Sequence, residues 1–140
     1  MGKLEQLIKE LTIEHTEQLK KVEDFKKRLD KEFSVELVEE ILNFFKTEVE
    51  NHAIKEEEDL INEIEKVAPE FDTEAIVFGH NTLREAIEDL EATLDEYKKG
   101  KASEEKVKKF ANQLFTILKD HFVEEENFLF PDLKKYDIEI

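Results

Sequence analysis

The sequence predicts an all-α fold, an up-down-up-down antiparallel four-helix bundle that forms a single domain over residues 1–140. The chain contains only three Gly and two Pro, too few for a protein rich in tight turns. Charged residues make up 41% of the chain, and most of them are Glu and Lys, which are good helix formers. Apolar residues recur at three-and-four spacing through four long segments, as in helices with one buried face.

Short interruptions of the apolar pattern separate the four predicted helices. They are Phe33-Ser34, Pro69 to Asp72 and Gly100 to Ser103, and Pro131 is expected to end the last helix. The predicted helices span residues 3–32, 35–68, 73–99 and 104–130, and no structure is predicted for the tail over 132–140. Because the connections are short, consecutive helices are expected to run antiparallel.

The residues at these interruptions are suited to helix ends. Ser34, Asp72 and Ser103 stand at N-cap positions, where a side-chain oxygen accepts a hydrogen bond from the first turn. Gly100 stands at a C-cap position, where the chain often needs a left-handed conformation.

The composition excludes several classes of function. A chain without Cys has no disulfide, iron–sulfur cluster, thiolate zinc site or cysteine nucleophile. The net charge of −16 repels nucleic acid and anionic membranes. No apolar run approaches the roughly 18 residues of a membrane span, and the N-terminus lacks the apolar stretch of a signal peptide. We therefore expect a cytoplasmic protein with neither nucleic-acid nor membrane partners.

All four histidines of the chain lie on the core-facing stripes of the predicted helices. They are His15, His52, His80 and His121. A single inward His is more often a hydrogen-bonded core residue than a ligand. If about 3/7 of helix positions face inward, four of four inward histidines arise by chance in roughly 3% of cases. The His-x3-Glu pairs His52/Glu56 and His121/Glu125 add little, because Glu is so frequent here.

The heights of these residues along the bundle give a stronger argument. Residues equally distant from the turn between two antiparallel helices lie at the same level. His15 and His52 are equally distant from the first turn. His80 and His121 are equally distant from the third, and Glu56 and His80 are nearly so from the second. The side chains should therefore converge in one layer of the core.

Such a layer of buried ionisable groups favours metal coordination, because unpaired polar groups are costly to bury. Four His and two Glu are too many ligands for one tetrahedral zinc. They suit two first-row ions that share the two carboxylates, and non-haem iron fits this donor set best, with manganese or zinc as alternatives. The predicted ligands of two iron ions in a carboxylate-bridged centre are His15, His52, Glu56, His80, His121 and Glu125.

Four motifs of the chain match a known family. They are Glu14-His15, His52 with Glu56-Glu57, His80 with Leu83-Arg84, and His121-x3-Glu125-Glu126-x2-Leu129-Phe130-Pro131. In this order and spacing they resemble the hemerythrin-like, or HHE cation-binding, domain family over essentially the whole chain. The resemblance implies a diiron four-helix bundle that binds oxygen or senses oxygen, iron or nitric oxide, with the same six ligands.

The chain departs from the oxygen-carrying hemerythrins at two places. Those proteins have a second histidine four residues after the third-helix ligand, where this chain has Arg84. They also have an aspartate five residues after the last histidine, where this chain has Glu126, preceded by Glu125 as the predicted ligand and by Glu124 as a competitor. With one imidazole fewer, one iron should keep an open or water-filled position.

Several neighbouring residues have open roles. Arg84 is either a partner of a ligand carboxylate, a gate to the metals, or a solvated arginine. Gly79, beside a predicted ligand, indicates close packing, a small-molecule path or simple tolerance. The carboxylates of Glu14, Glu48 and Glu126 are candidates to orient ligand imidazoles or are solvated. The run from Glu56 to Asp59 is otherwise interpreted as surface, and Phe45, Phe110 and Phe128 as inward-facing.

We predict a protein that binds or senses O2, or another small diatomic or anionic ligand such as NO, with an unidentified signalling or redox partner. The alternative is an enzyme, a diiron oxidase or peroxide-consuming protein that uses the same site. A bundle without metal is a third interpretation. Because a buried imidazole resists charging, the metal-free chain is expected to lose stability as the pH falls through the histidine range.

Overall fold

The computed structural model describes residues 2–135, and over that range its regular structure is entirely helical. Four helical rods follow one another along the chain. Rod 1 is α1 (Lys3–Lys31), and rod 3 is α5 (Glu74–Lys98). Rod 2 consists of α2 (Val35–Phe44), a π-helical turn (Phe45–Val49), α3 (Glu50–Lys55), a second π-helical turn (Glu56–Leu60) and α4 (Ile61–Val67). Rod 4 consists of α6 (Glu104–Glu124), a π-helical turn (Glu125–Leu129) and α7 (Phe130–Lys134). The all-α prediction is confirmed, and four rods are consistent with a bundle.

The ends of the rods carry three of the four predicted caps. Ser34 Oγ and Ser103 Oγ each accept a hydrogen bond from the N–H three residues further on, at 3.1 and 3.2 Å. Gly100 has a φ of 77°, a left-handed conformation that glycine adopts without steric cost. The predicted N-cap at Asp72 is wrong, because Thr73 holds the N-cap position of α5 and its side chain makes no capping hydrogen bond. Asp72 instead accepts the N–H of Glu74 at 2.9 Å, one residue before that position.

Ion pairs join rod 2 to the rods on either side of it. Between rods 1 and 2 they run from Arg28–Glu40 near the turn through Lys21–Glu48 to Lys3–Glu63. Between rods 2 and 3 they are Lys98–Glu39, Lys46–Glu91 and Arg84–Glu50. The order of the partners reverses from one rod to the next, and this order brings the middle of rod 1 beside the middle of rod 2.

The apolar core consists of two clusters. One contains most of the large buried side chains of rods 1 to 4 on one side of the histidines, including Phe45, Leu90, Leu114 and Leu118. The smaller one contains Leu4, Leu11, Leu60, Ile64, Ile76, Phe130 and Leu133. Along rod 1 the second cluster lies before His15 and the first lies after it, so a polar layer divides the core.

Rod 4 differs from the prediction at its C-terminal end. Phe128 is 66% exposed, so its predicted inward position is wrong. The π-helical turn inserts one residue into the helical repeat and rotates the following side chains, so that Phe130 and Leu133 become buried instead. Pro131 does not end the rod, which continues to Lys134. Pro131 stands in the first turn of α7, where a missing N–H costs little.

None of the helices in residues 2–135 combines the length and the apolar character needed to cross a membrane.

Candidate metal centre

All four rods contribute to one buried polar layer. The structure brings together the six residues predicted as ligands, each at most 9% exposed: His15, His52, Glu56, His80, His121 and Glu125. They form two groups of four, in which single donor atoms lie within 4.8 Å of one another. One group is His15, His52, Glu56 and Glu125, and the other is His80, His121, Glu56 and Glu125. The two glutamates therefore belong to both groups.

Each of the two shared carboxylates divides its oxygens between the groups. Glu56 Oε2 lies 3.0 Å from His52 Nε2, and Glu56 Oε1 lies 2.7 Å from His80 Nε2. Glu125 Oε1 lies 3.0 Å from His15 Nε2, and Glu125 Oε2 lies 3.2 Å from His121 Nε2. A carboxylate with one oxygen toward each of two imidazole pairs has the orientation of a bridging ligand.

The spacing of the donor atoms fits coordination of metal ions better than hydrogen bonding between the donors themselves. The Nε2 atoms of His15 and His52 face each other at 3.0 Å. Two donors that each lie about 2.1 Å from one ion at right angles are about 3 Å apart. The oxygens of Glu125 lie 3.0 Å from His15 Nε2 and 3.2 Å from His121 Nε2, but among residues 2–135 neither these oxygens nor His121 Nε2 make a hydrogen bond of suitable geometry. Buried polar atoms are rarely left unpaired, and a cation between them would satisfy these three.

The outward ring nitrogens of three histidines are held by carboxylates. His52 Nδ1 lies 2.6 Å from Glu14, His80 Nδ1 lies 2.6 Å from Glu57, and His15 Nδ1 lies 2.7 Å from Glu126. A carboxylate on Nδ1 fixes the tautomer, directs Nε2 toward the centre and increases the basicity of the imidazole.

The roles of the candidate orienting glutamates are thereby decided. Glu14 and Glu126 hold ring nitrogens, whereas Glu48 binds Lys21 at the surface. Glu57 was interpreted as part of a surface run, and that interpretation is wrong. The signal that identifies Glu57 is the repeated His-x3-Glu-Glu pattern, in which Glu57 corresponds to Glu126.

Two of the orienting carboxylates are themselves bound by cations. Lys55 Nζ donates to Glu14 at 2.8 Å. The Arg84 guanidinium lies 3.1 Å from Glu57 and 2.8 Å from Glu50. Arg84 therefore points away from the ligand atoms, and it acts on His80 only through Glu57.

Glu125 rather than Glu124 faces the centre. Glu125 is 3% exposed, while the Glu124 side chain is exposed and lines a surface cleft. Both shared glutamates stand at the first position of a π-helical turn, Glu56–Leu60 and Glu125–Leu129. Such turns often occur at functional sites.

The carboxylates of the layer favour the protonated forms of His15 and His121 when no metal is bound. Burial alone would lower the pKa of His15, but the carboxylates of Glu125 and Glu56 raise it to about 9. The same balance raises the pKa of His121 to about 10. Burial opposes ionisation of Glu56, yet the surrounding imidazoles hold its pKa well below the usual range. These raised pKa values oppose the expectation that acid destabilises the metal-free chain through buried imidazoles, because carboxylates balance their charge.

Gly79 lies directly against the ring of His121. A Cβ at Gly79 would lie 2.6 Å from His121 Nδ1 and 2.7 Å from Cε1, closer than such atoms approach without displacement. Of the alternatives for this glycine, close packing is the one that the structure shows.

Two clefts reach the layer from outside. One, of about 270 Å³, ends on His121 and Glu125. Its walls include apolar Phe71, Phe128 and Leu129 and acidic Asp72, Glu124 and Asp132. The other, of about 370 Å³, reaches the outer edge of His52, where Glu14 covers Nδ1.

Replacing Arg84 with glutamine is expected to weaken metal binding by up to about 10-fold, because Glu57 then holds His80 less firmly. Metal titration of the metal-free protein measures the effect. Arg28→Gln is the matched control, since Arg28 binds Glu40 far from the layer through two similar hydrogen bonds. Equal affinities of the two variants would contradict a role for Arg84 in positioning His80.

Comparison with known families supports this interpretation of the layer. The family model of the hemerythrin HHE cation binding domain matches residues 72–139. Comparison with curated proteins and with solved structures gives no match. The matched segment contains His80, His121 and Glu125, and residues before it supply the other half of the same layer. The match confirms that the chain resembles the hemerythrin-like family, as its motifs predict.

Proposed function

We propose that the chain is a non-haem diiron protein that binds or senses O2, or a related small ligand such as NO, at its buried four-His, two-Glu layer. The observation that carries this proposal is the pair of shared carboxylates, Glu56 and Glu125. Each directs one oxygen toward each imidazole pair. A single ion would not need both groups, whereas two ions use all six side chains.

The donor set supports iron as the metal. It consists of imidazole nitrogen and carboxylate oxygen without sulfur, a combination that suits iron, with manganese and zinc as competitors. His15 and His52 would hold one ion and His80 and His121 the other. Ferrous iron supplies the electrons with which O2 or NO is bound.

The residues around the donors keep the layer dry and rigid. Phe122 stacks on the His15 ring at a centroid distance of 3.8 Å, and Phe130 lies at 5.8 Å. Glu14, Glu57 and Glu126 hold the imidazoles from outside. Excluding water strengthens the electrostatic attraction between the ions and their carboxylates.

The cleft beside His121 favours a small, neutral ligand over an anion. Its walls are apolar near Phe71 and Leu129, whereas Asp72, Glu124 and Asp132 are acidic. Acidic side chains repel anions and leave neutral O2 and NO unaffected.

We also propose that the four rods form one up-down-up-down antiparallel domain over residues 1–140. The reversed order of ion pairs between rods 1 and 2 and between rods 2 and 3 supports this topology. The cytoplasmic location remains a prediction from the composition.

Anaerobic loading with ferrous iron should give two ions per chain by elemental analysis. Binding to the folded state alone adds about 2.7 kcal/mol of stability per site at a free metal concentration of 100 Kd, so the melting temperature should rise clearly. Mixing reduced protein with O2 or NO should change its absorption spectrum.

Three outcomes discriminate between the candidate functions. Reversible spectral change without turnover supports binding or sensing. Sustained consumption of peroxide or of a reduced donor would instead indicate the diiron oxidase or peroxide-consuming enzyme. Protein that retains no metal after incubation with iron, and that melts at the same temperature as the metal-free chain, would contradict both functions.

A further inference from the structure

The metal layer is built from two similar halves. Along the chain, His15, His52 and Glu56 form the first half, and His80, His121 and Glu125 form the second, while each imidazole pair lies close to both glutamates. Each half ends in the pattern His-x3-Glu-Glu, in which the first glutamate enters the layer. The second glutamate holds the first histidine of the opposite half: Glu57 binds His80, and Glu126 binds His15.

The two halves differ at one pair of corresponding positions, the residue before the first histidine of each half. Glu14 precedes His15, and its carboxylate binds Nδ1 of His52 at 2.6 Å. Gly79 precedes His80 in the same way and lies against Nδ1 of His121, but glycine has no carboxylate. Among residues 2–135, the carboxylates within ion-pair distance of His121 belong to Glu56 and Glu125, and both approach Nε2.

The two halves also differ in access. The His15 ring is covered by Phe122 and is 0% exposed. His121 is 9% exposed at the end of the 270 Å³ cleft. Within residues 2–135, His121 Nε2 and both oxygens of Glu125 make no hydrogen bond, and both residues line this cleft.

We propose that the two halves hold divalent cations unequally, and that the ion between His80 and His121 is the exchangeable one. The proposal rests on the proposed diiron function, and it adds the identity of the ion that exchanges with solution. Loss of an orienting hydrogen bond to a ligand histidine typically costs 10–100-fold in metal affinity. In this chain Gly79 omits that bond in one half only. The 270 Å³ cleft is lined by both His121 and Glu125 of the same half, whereas the 370 Å³ cleft at the other half reaches only His52, whose Nδ1 is covered by Glu14.

The test uses zinc-loaded protein, because Zn²⁺ is diamagnetic and carries no redox chemistry. Excess chelator should remove the two ions in two phases whose rates differ by about 10-fold or more. Histidine side-chain NMR signals should show His80 and His121 losing metal in the fast phase, while His15 and His52 retain it. Simultaneous release, or earlier release from His15 and His52, would overturn the proposal.

Two variants assign the difference to its cause. Glu14→Gln removes the charge at His52 and should accelerate the slow phase 10–100-fold without changing the fast phase. Glu17→Gln, an exposed change on the same helix, is the matched control. Gly79→Ala forces the His121 ring to move and should eliminate binding of the exchangeable ion alone, leaving one zinc per chain.

Denaturation of metal-free Gly79→Ala shows whether this variant is still folded, so that a loss of zinc can be assigned to the site. Alanine is favoured over glycine inside a helix by about 1 kcal/mol, so metal-free Gly79→Ala should unfold at the same or higher denaturant concentration. Two zinc ions in Gly79→Ala, released as in the unchanged protein, would contradict the role of Gly79. Unchanged protein that binds no zinc or iron would contradict the diiron function itself, whereas two ions released together would contradict only their inequality.

Discussion

Replacing Glu56 with glutamine is expected to abolish the binding of two metal ions and to destabilise the metal-free chain by roughly 3 kcal/mol. Glu56 is fully buried, and its carboxylate faces all four imidazoles. Glutamine keeps the shape of the side chain but supplies no negative charge. Both ions lose a bridging ligand, and the protonated histidines of the metal-free chain lose their counter-ion.

Elemental analysis and urea denaturation at pH 7 measure these two effects. Glu58→Gln is the matched control, because it makes the same change two residues away on an exposed side chain. The control should bind two ions and unfold within about 0.5 kcal/mol of the unchanged protein. Two ions bound by Glu56→Gln with unchanged affinity would contradict the proposed bridging role.

Metal binding is expected to abolish the pH dependence of stability above about pH 7. In the metal-free chain the pKa of His15 is about 9 and that of His121 about 10, against about 6.5 for an unfolded histidine. Between these values the folded state binds more protons than the unfolded state. Stability is therefore complete below pH 6.5 and falls as the pH rises toward 9 and 10. Each excess proton contributes about 1.4 kcal/mol per pH unit.

The metal-loaded chain should instead keep a nearly constant stability over the same interval, because neither its ligand imidazoles nor the histidines of the unfolded chain then carry a proton. Ligand imidazoles must lose their protons before they bind a metal, so the affinity for metal rises with pH up to about pH 10 and offsets the stability that the metal-free chain loses. Loading at pH 7 should release about two protons per chain, one each from His15 and His121.

Urea denaturation at pH 6, 7, 8 and 9, with and without metal, tests this difference in pH dependence, and a pH-stat counts the protons. A metal-free chain that gains stability from pH 6 to 9 would show that its histidines are buried uncharged. Loading without proton release would lead to the same conclusion.

Much of the fold was predictable from local patterns. The caps at Ser34 and Ser103 and the left-handed Gly100 depend on a few neighbouring residues, and all three were predicted correctly. The C-terminal end of rod 4 was not, because a periodicity of three and four residues does not show where a π-helical turn inserts one more. The exposed Phe128 and the passage of rod 4 through Pro131 follow from that single insertion.

The sequence by itself determined that the four histidines and two glutamates face one layer, because helix spacing and short turns decide level and direction. The partners on the far side of each imidazole were decided only by the tertiary structure. Glu57 and Gly79 contact histidines of other rods, at sequence separations of 23 residues or more, and Arg84 reaches His80 of its own rod only through Glu57 of rod 2. Such contacts depend on how the rods rotate and pack against one another. The charge states of His15 and His121 were decided there too, since a buried imidazole is neutral or charged according to the carboxylates that packing places beside it.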